Sequence, residues 1–174
     1  MEPAVPKDQI NYSMRREEFT FSFEVYDKVE ELTTEDAFLL NEAKAATRHA
    51  YAPYSSFRVG AAARLQNGEI ITGTNQENAS FPAGICAERT LMSAASALYP
   101  GIPIDVLAVT YDNAHGPSDH PISPCGICRQ SLLEFEQRTG RPIRLILGGL
   151  SGQIYIIADS IALMPLAFSA RELQ

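Results

Sequence analysis

The sequence predicts an α/β fold: a single three-layer domain in which a mixed β-sheet is flanked by helices. Three observations lead there. Segments with strand-like and helix-like apolar spacing alternate along the chain with little room for a domain boundary. Asn67-Gly68 lies between two apolar runs, a strong signal for an antiparallel hairpin. Ile104 to Thr110 is apolar apart from Asp105 and the terminal Thr110, as expected of a buried strand. With 174 residues there is material for one sizeable core, and neither an internal repeat nor a long Pro/Gly/Ser linker divides it.

The elements follow in order. Residues 1–33 read as an N-terminal extension, ragged over the first 16 or so positions, with residues 34–174 as the main domain. Within the extension Phe19, Phe21, Phe23 and Val25 alternate with Thr20, Ser22 and Glu24, the period of a half-buried strand that could cover a sheet edge. Thr33, Thr34, Glu35 and Asp36 supply a capping hydroxyl and first-turn acids, so a helix starts here and runs to about Ala50 before Pro53. Phe57 to Leu65 and Glu69 to Asn75 are the hairpin strands, and Cys86 to Leu98 is a helix with Leu91, Met92, Ala95 and Leu98 inward. A loop from Tyr111 to Pro121 leads from the buried strand to a helix over Cys125 to Arg138. Strands at Ile143 to Leu147 and Gln153 to Ile157 come next, and a short helix spans Asp159 to Met164.

Composition narrows the function. Apolar residues make up 45% and charged residues 20%, which excludes a disordered chain. The net charge of −7 argues against nucleic acid as a partner, since phosphate binding relies on many cations. No apolar run reaches the roughly 20 residues of a membrane span, and Met1 to Arg16 has no apolar stretch of the kind a secretory leader needs. Three cysteines, Cys86 alone and Cys125 with Cys128 as C-x-x-C, make a poor disulfide framework. They suit a reducing, cytoplasmic setting and a metal or redox role.

Both cysteine segments open a helix after a Pro/Gly-containing turn: Phe81-Pro-Ala-Gly-Ile-Cys-Ala-Glu88 and Ser123-Pro-Cys-Gly-Ile-Cys128. A helix start presents free N–H groups and partial positive charge, which favours thiolate, the form that binds metal. If the two starts converge, Cys86, Cys125 and Cys128 meet one zinc and leave its fourth position open, the catalytic pattern. Three thiolates on a divalent ion leave a formal −1, which Arg89 and Arg129 could offset by donating to the sulfurs. Alternatively both are surface arginines at helix starts. Glu88 is placed to move protons beside the metal. It lies about 200° around a regular helix from Cys86, so the two would share only the space beyond the helix end. Taken alone, Glu88 is also an ordinary first-turn acid favouring the helix dipole.

Cys-Ala-Glu at 86–88 followed by Pro-Cys-x-x-Cys at 124–128 resembles the zinc-dependent nucleoside and nucleobase deaminases, whose known signature this is. The detail is similar to the cytidine deaminases that act on free nucleosides. The likeness runs through Tyr54 to Ala62, Asn75 to Thr90, Ser123 to Gln130 and Leu163-Met-Pro-Leu-Ala-Phe168, where Met164 replaces a more usual Leu. It spans about residues 35–172.

The resemblance implies one Zn²⁺ per chain on Cys86, Cys125 and Cys128, and a zinc-activated hydroxide attacking C4 of cytosine. Glu88 would be the catalytic proton shuttle. Cytidine and deoxycytidine would become uridine and deoxyuridine with release of ammonia, in pyrimidine salvage. It further implies that Asn75 and Glu77 bind ribose hydroxyls, the Ala87 N–H meets the 2-oxo group, the Ser123 carbonyl meets the leaving amine and Phe57 packs on the base. Phe168 would reach a neighbouring subunit's site in a homotetramer.

Three rival readings stand beside this one. His120, five residues before Cys125, could close a structural zinc site of three cysteines and one histidine. Cys125-Gly-Ile-Cys128 alone could be a thiol redox motif. The same mechanism could also serve an aminonucleoside antibiotic or a polynucleotide. Asn75-x-Glu77 favours a ribose, and the −7 charge disfavours a polynucleotide.

Overall fold

In the computed structural model, residues 14–173 are described. The chain runs β1 (Glu24–Tyr26), α1 (Thr34–Ala46), β2 (Phe57–Leu65), β3 (Ile70–Thr74), α2 (Ala87–Leu98), β4 (Ile104–Asn113), α3 (Gly126–Thr139), β5 (Arg144–Gly148) and β6 (Ile154–Ile157). Six strands form one sheet in the order β1-β6-β5-β4-β2-β3. Only β4 and β5 pair in parallel, across the α3 crossover, and the other pairs are antiparallel. None of the described helices is long and apolar enough to cross a membrane.

Alternating side chains of the sheet build two cores. Ala61, Ala63, Leu107, Val109, Leu145 and Leu147 face Leu91, Ala95 and Leu132 of α2 and α3. Ala62, Val106, Ala108, Ile146 and Ile156 face Leu39, Leu40 and Ala43 of α1. Coverage on both faces explains the unbroken apolar reading of β4 and completes the three-layer arrangement.

Local chemistry sets the boundaries. Thr33 caps α1, its hydroxyl accepting from the Asp36 N–H at 3.1 Å. Gly68, at φ +87°, makes the hairpin turn between β2 and β3. The α-helix ends at Ala46, and a 3-10 turn over Thr47–His49 takes the last stretch expected of it. The final expected helix is a single 3-10 segment, Ser160–Leu163, started by Asp159 and followed by Pro165. The largest departure lies near the chain's start. The strand expected over Phe19 to Val25 is reduced to β1, because β6, its only partner among the described residues, ends at Ile157, one pair beyond Glu24↔Ile156. Phe19, Phe21 and Phe23 are therefore exposed rather than half-buried. Of the first 16 or so residues, expected to be ragged, residues 1–13 lie outside the described residues.

One close approach seats α2 on the sheet. A Cβ on Gly73 of β3 would stand 2.5 Å from the Ala87 carbonyl oxygen and 2.6 Å from the Leu91 N. Only glycine lets the first turn of α2 lie against the sheet at this point.

Candidate active site

The starts of α2 and α3 meet at one end of the sheet. Cys86 is the N-cap of α2 and Cys125 the N-cap of α3, and neither side chain is spent on capping. Their carbonyls accept the first helical hydrogen bonds, from the Thr90 N–H at 3.0 Å and the Arg129 N–H at 2.9 Å. The thiols are thus left pointing off the helix ends. Cys128, fully buried in the first turn of α3, completes the group.

Sγ of Cys86 lies 3.7 Å from Sγ of Cys125, which lies 3.5 Å from Sγ of Cys128, and all three sulfurs fall within 4.8 Å of one another. A tetrahedral zinc with bonds of about 2.3 Å needs sulfurs about 3.8 Å apart, so the donor set fits zinc. The thiol of Cys128, donating to Cys86, brings the Cys86 pKa down to about 6, while the same contact pushes that of Cys128 up. Of these two, Cys86 is therefore the first to ionise.

Glu88 sits in the first turn of α2 and is only 4% exposed. Burial raises its pKa, against smaller opposing effects from its own backbone and the neighbouring Cys128. Because Cys86 occupies the cap, outside the regular helix, the two residues open onto one space. Both line a cleft of about 380 Å³.

Val59, Ile85, Ile122 and Phe81 give that cleft its apolar wall, and Asn75, Gln76, Glu77, Asn78 and Ser123 its polar one. Asn75 and Glu77 also hold the wall together. Asn75 accepts from the Val59 N–H at 2.8 Å and donates to the Phe57 carbonyl at 2.9 Å. Glu77 accepts from the Tyr54 N–H at 2.9 Å and from the Ser55 hydroxyl, which with those backbone donors holds its carboxyl below the usual range. Glu77 is thus charged at neutral pH.

The structure places the remaining residues singled out in the sequence at varying distances from the cleft. Ala87, buried as the first residue of α2, carries one of the N–H groups that a helix start leaves free. Phe57 shares a β2 face with Val59, but its ring stacks on Tyr111 at 4.9 Å, and Val59 lines the cleft instead. Phe168 is exposed away from the cleft, its carbonyl accepting from Gln130 at 2.9 Å. Arg89 lies along the groove between α2 and α3, and its charge helps lower the Cys86 pKa. Arg129 departs from expectation: it donates to carbonyls, Pro124 at 2.8 Å and Leu163 at 3.0 Å, fixing the turn before Cys125 rather than reaching sulfur. The missed wall residues Val59, Ile122, Tyr54 and Phe81 all lie within or beside the quoted motifs, the one signal that could have marked them.

Two rivals lose ground here. His120 is held by the Tyr111 hydroxyl at 3.0 Å and Asp119 at 3.2 Å, and among the described residues only the three cysteines form a metal-ligating cluster. His120→Ala is expected to leave zinc content and turnover unchanged, as metal analysis and a rate assay on one sample would show. A C-x-x-C redox motif has no use for Cys86, which the fold brings from 39 residues away.

Comparison with known proteins gives a consistent picture. Residues 33–140 match the family described as the cytidine and deoxycytidylate deaminase zinc-binding region. The chain is 38% identical over 135 residues to a cytidine deaminase of Halalkalibacterium halodurans, covering 78% of this chain and 95% of that one. It is 41% identical over 96 residues to a cytidine deaminase of Mycobacterium tuberculosis, covering 55% and 68%. The crystal structure of cytidine deaminase from Burkholderia pseudomallei aligns with a TM-score of 0.67 at 35% identity, covering 79% of this chain and all of that one. With its fold, its trio of thiols and these relatives in agreement, the chain belongs to the cytidine deaminase family of hydrolytic, zinc-binding enzymes.

Proposed function

We propose that this enzyme converts cytidine and deoxycytidine, with water, to uridine and deoxyuridine plus ammonia. The observation that carries the reading is the buried carboxyl of Glu88, sharing one cleft with Cys86 and Cys125 and with the polar pair Asn75 and Glu77. Cys86, Cys125 and Cys128 would hold the zinc, which when bound supplies Lewis acidity toward a water nucleophile. Glu88 takes a proton from the attacking water and gives it to N3 as the water oxygen bonds to C4. It then takes the proton of the new C4 hydroxyl and delivers it to the amino nitrogen as the C4–N bond breaks, leaving the 4-oxo ring and ammonia. Its burial keeps bulk water from competing for those protons.

Positioning falls to the cleft walls. Asn75 and Glu77 bind the ribose hydroxyls, the Ala87 N–H meets the 2-oxo group, and the Ser123 carbonyl accepts from the amine. Val59 borders the base, with Phe57 behind it on the same β2 face against Tyr111, and Arg89 and Arg129 support the thiol-bearing turns. A charged Glu77 repels a nucleotide phosphate, so nucleosides are preferred over nucleotides. Phe168, unpartnered by the cleft of its own chain, completes a neighbour's site in a homotetramer. The reaction serves pyrimidine salvage in the cytoplasm, and residues 34–174 form the catalytic domain behind an extension, 1–33.

The test is turnover of cytidine, deoxycytidine, cytosine and deoxycytidylate side by side, with zinc measured in the same sample. Loss of the cytosine absorbance band with matching ammonia release is expected for the two nucleosides, at about one zinc per chain. Faster turnover of deoxycytidylate than of deoxycytidine would overturn the nucleoside assignment.

A further inference from the structure

β1 is the outermost strand of the sheet, and among the described residues its outer edge has no partner. Upstream of it, residues Phe19 to Ser22 make no backbone hydrogen bond to the rest of the described chain. The segment is nonetheless extended. The Phe19–Phe21 and Phe21–Phe23 ring centroids are 6.5 and 6.1 Å apart, close to the ~6.6 Å rise of two residues in a strand. Phe23 anchors it by packing on Tyr155 of β6 at 4.9 Å.

This arm has two faces. Phe19, Phe21, Phe23 and Val25 share one, each 45–59% exposed, and Arg16, Glu18, Thr20, Ser22 and Glu24 share the other. A bare edge with an apolar face is a template for strand addition, and folds ordinarily cover or charge such edges. The arm also lies outside residues 33–140, the family match, so the family's fold does not account for it.

We propose that this arm pairs antiparallel with the same arm of a second copy of the chain, about a two-fold axis through Thr20. The charges select that occupant and that register. Centred on Thr20, Arg16 lies opposite Glu24 of the second copy, and symmetry makes the pair twice. Phe19 lies opposite Phe21, Glu18 opposite Ser22, and no like charges meet. Moving the centre to Phe21 sets Glu18 against Glu24. Moving it to Ser22 sets Arg16 against Lys28 and Glu17 against Asp27. A slip of one residue puts the phenylalanine face of one arm against the polar face of the other. The pairing is isologous, so it closes on itself and stops at two arms.

The experiment uses the full chain, with the parent protein and its native cysteines as baseline. In this register two Thr20 residues sit directly opposite, within the 4.4–6.8 Å Cα separation, roughly, that a disulfide spans. Two Ser22 residues lie about 13 Å apart along the strands. Thr20→Cys is therefore expected to give a covalent dimer under mild oxidation, and Ser22→Cys is not.

In the Thr20→Cys background, Arg16→Glu should slow formation of the cross-linked dimer by about ten-fold or more, and adding Glu24→Arg should restore it. Equal cross-linking at both positions, cross-linking at neither, or no effect of Arg16→Glu would overturn the proposal. Cross-linking reads the register whatever other faces assemble. No cleft residue belongs to the arm, so cytidine turnover stays at the parent level throughout and is scored separately.

Discussion

Glu88→Gln is expected to keep its zinc and lose most of its turnover, with kcat falling by about 10²–10⁴-fold, the usual share of a positioned proton-transfer group. The substitution is close to isosteric, so the buried position of Glu88 in the first turn of α2, 4% exposed, is filled as before. The three sulfurs are untouched, and zinc per chain should match the parent. What disappears is a group that can both take and give a proton. Because the ribose contacts proposed above lie on Asn75 and Glu77, KM should move far less than kcat. Rates by cytosine absorbance and metal content on the same preparation decide it. A fully active Glu88→Gln would mean the proton path runs elsewhere.

Cys86→Ala is expected to lose metal and activity together, with turnover down by at least about 10³-fold, as several kcal/mol of Lewis-acid assistance is removed. Cys86 is the better choice among the three cysteines. It is half-buried, and its side chain makes no capping bond, so its loss costs the α2 start little. Cys128 is fully buried, and truncating it would add a cavity to the change of ligand. Zinc analysis with an unchanged far-UV spectrum would separate lost metal from lost fold. Retention of stoichiometric zinc would show that the cluster is not the metal site.

Much of the fold was legible because its signals are local. The Asn67-Gly68 turn, the Thr33 cap and the Pro/Gly turns before Cys86 and Cys125 each act within a few residues. The alternation of Phe19 to Val25 misled for the opposite reason. Period two reports an extended backbone, but burial depends on a partner strand, and β6 runs out of residues. Contacts between distant residues left no trace in the sequence. Asp36 and Arg144, 108 residues apart, form a two-point ion pair at 2.7 Å that ties α1 to β5. Glu136 buries its carboxyl to hold the Ile143 N–H and the Ser160 hydroxyl.

At the site, residue type and spacing pointed to the thiols and Glu88, because metal donors and proton carriers come from a short menu. The wall residues were harder to find, since Val59 and Ile122 carry no chemistry of their own. The reach of Arg129 depended on where Leu163 lands, 34 positions later in the chain.

The missing side chain at Gly73 has a consequence for redesign. The helix that carries the carboxyl and is capped by Cys86 is seated directly on the sheet, with the Gln76–Ile85 backbone pair leading into it, so its place is set by the core and that pair rather than by residues 77–84. Libraries that vary residues 77–84, Glu77 among them, can reshape the sugar side of the proposed nucleoside site while Cys86 and Glu88 stay registered, provided position 73 is kept out of the randomised set.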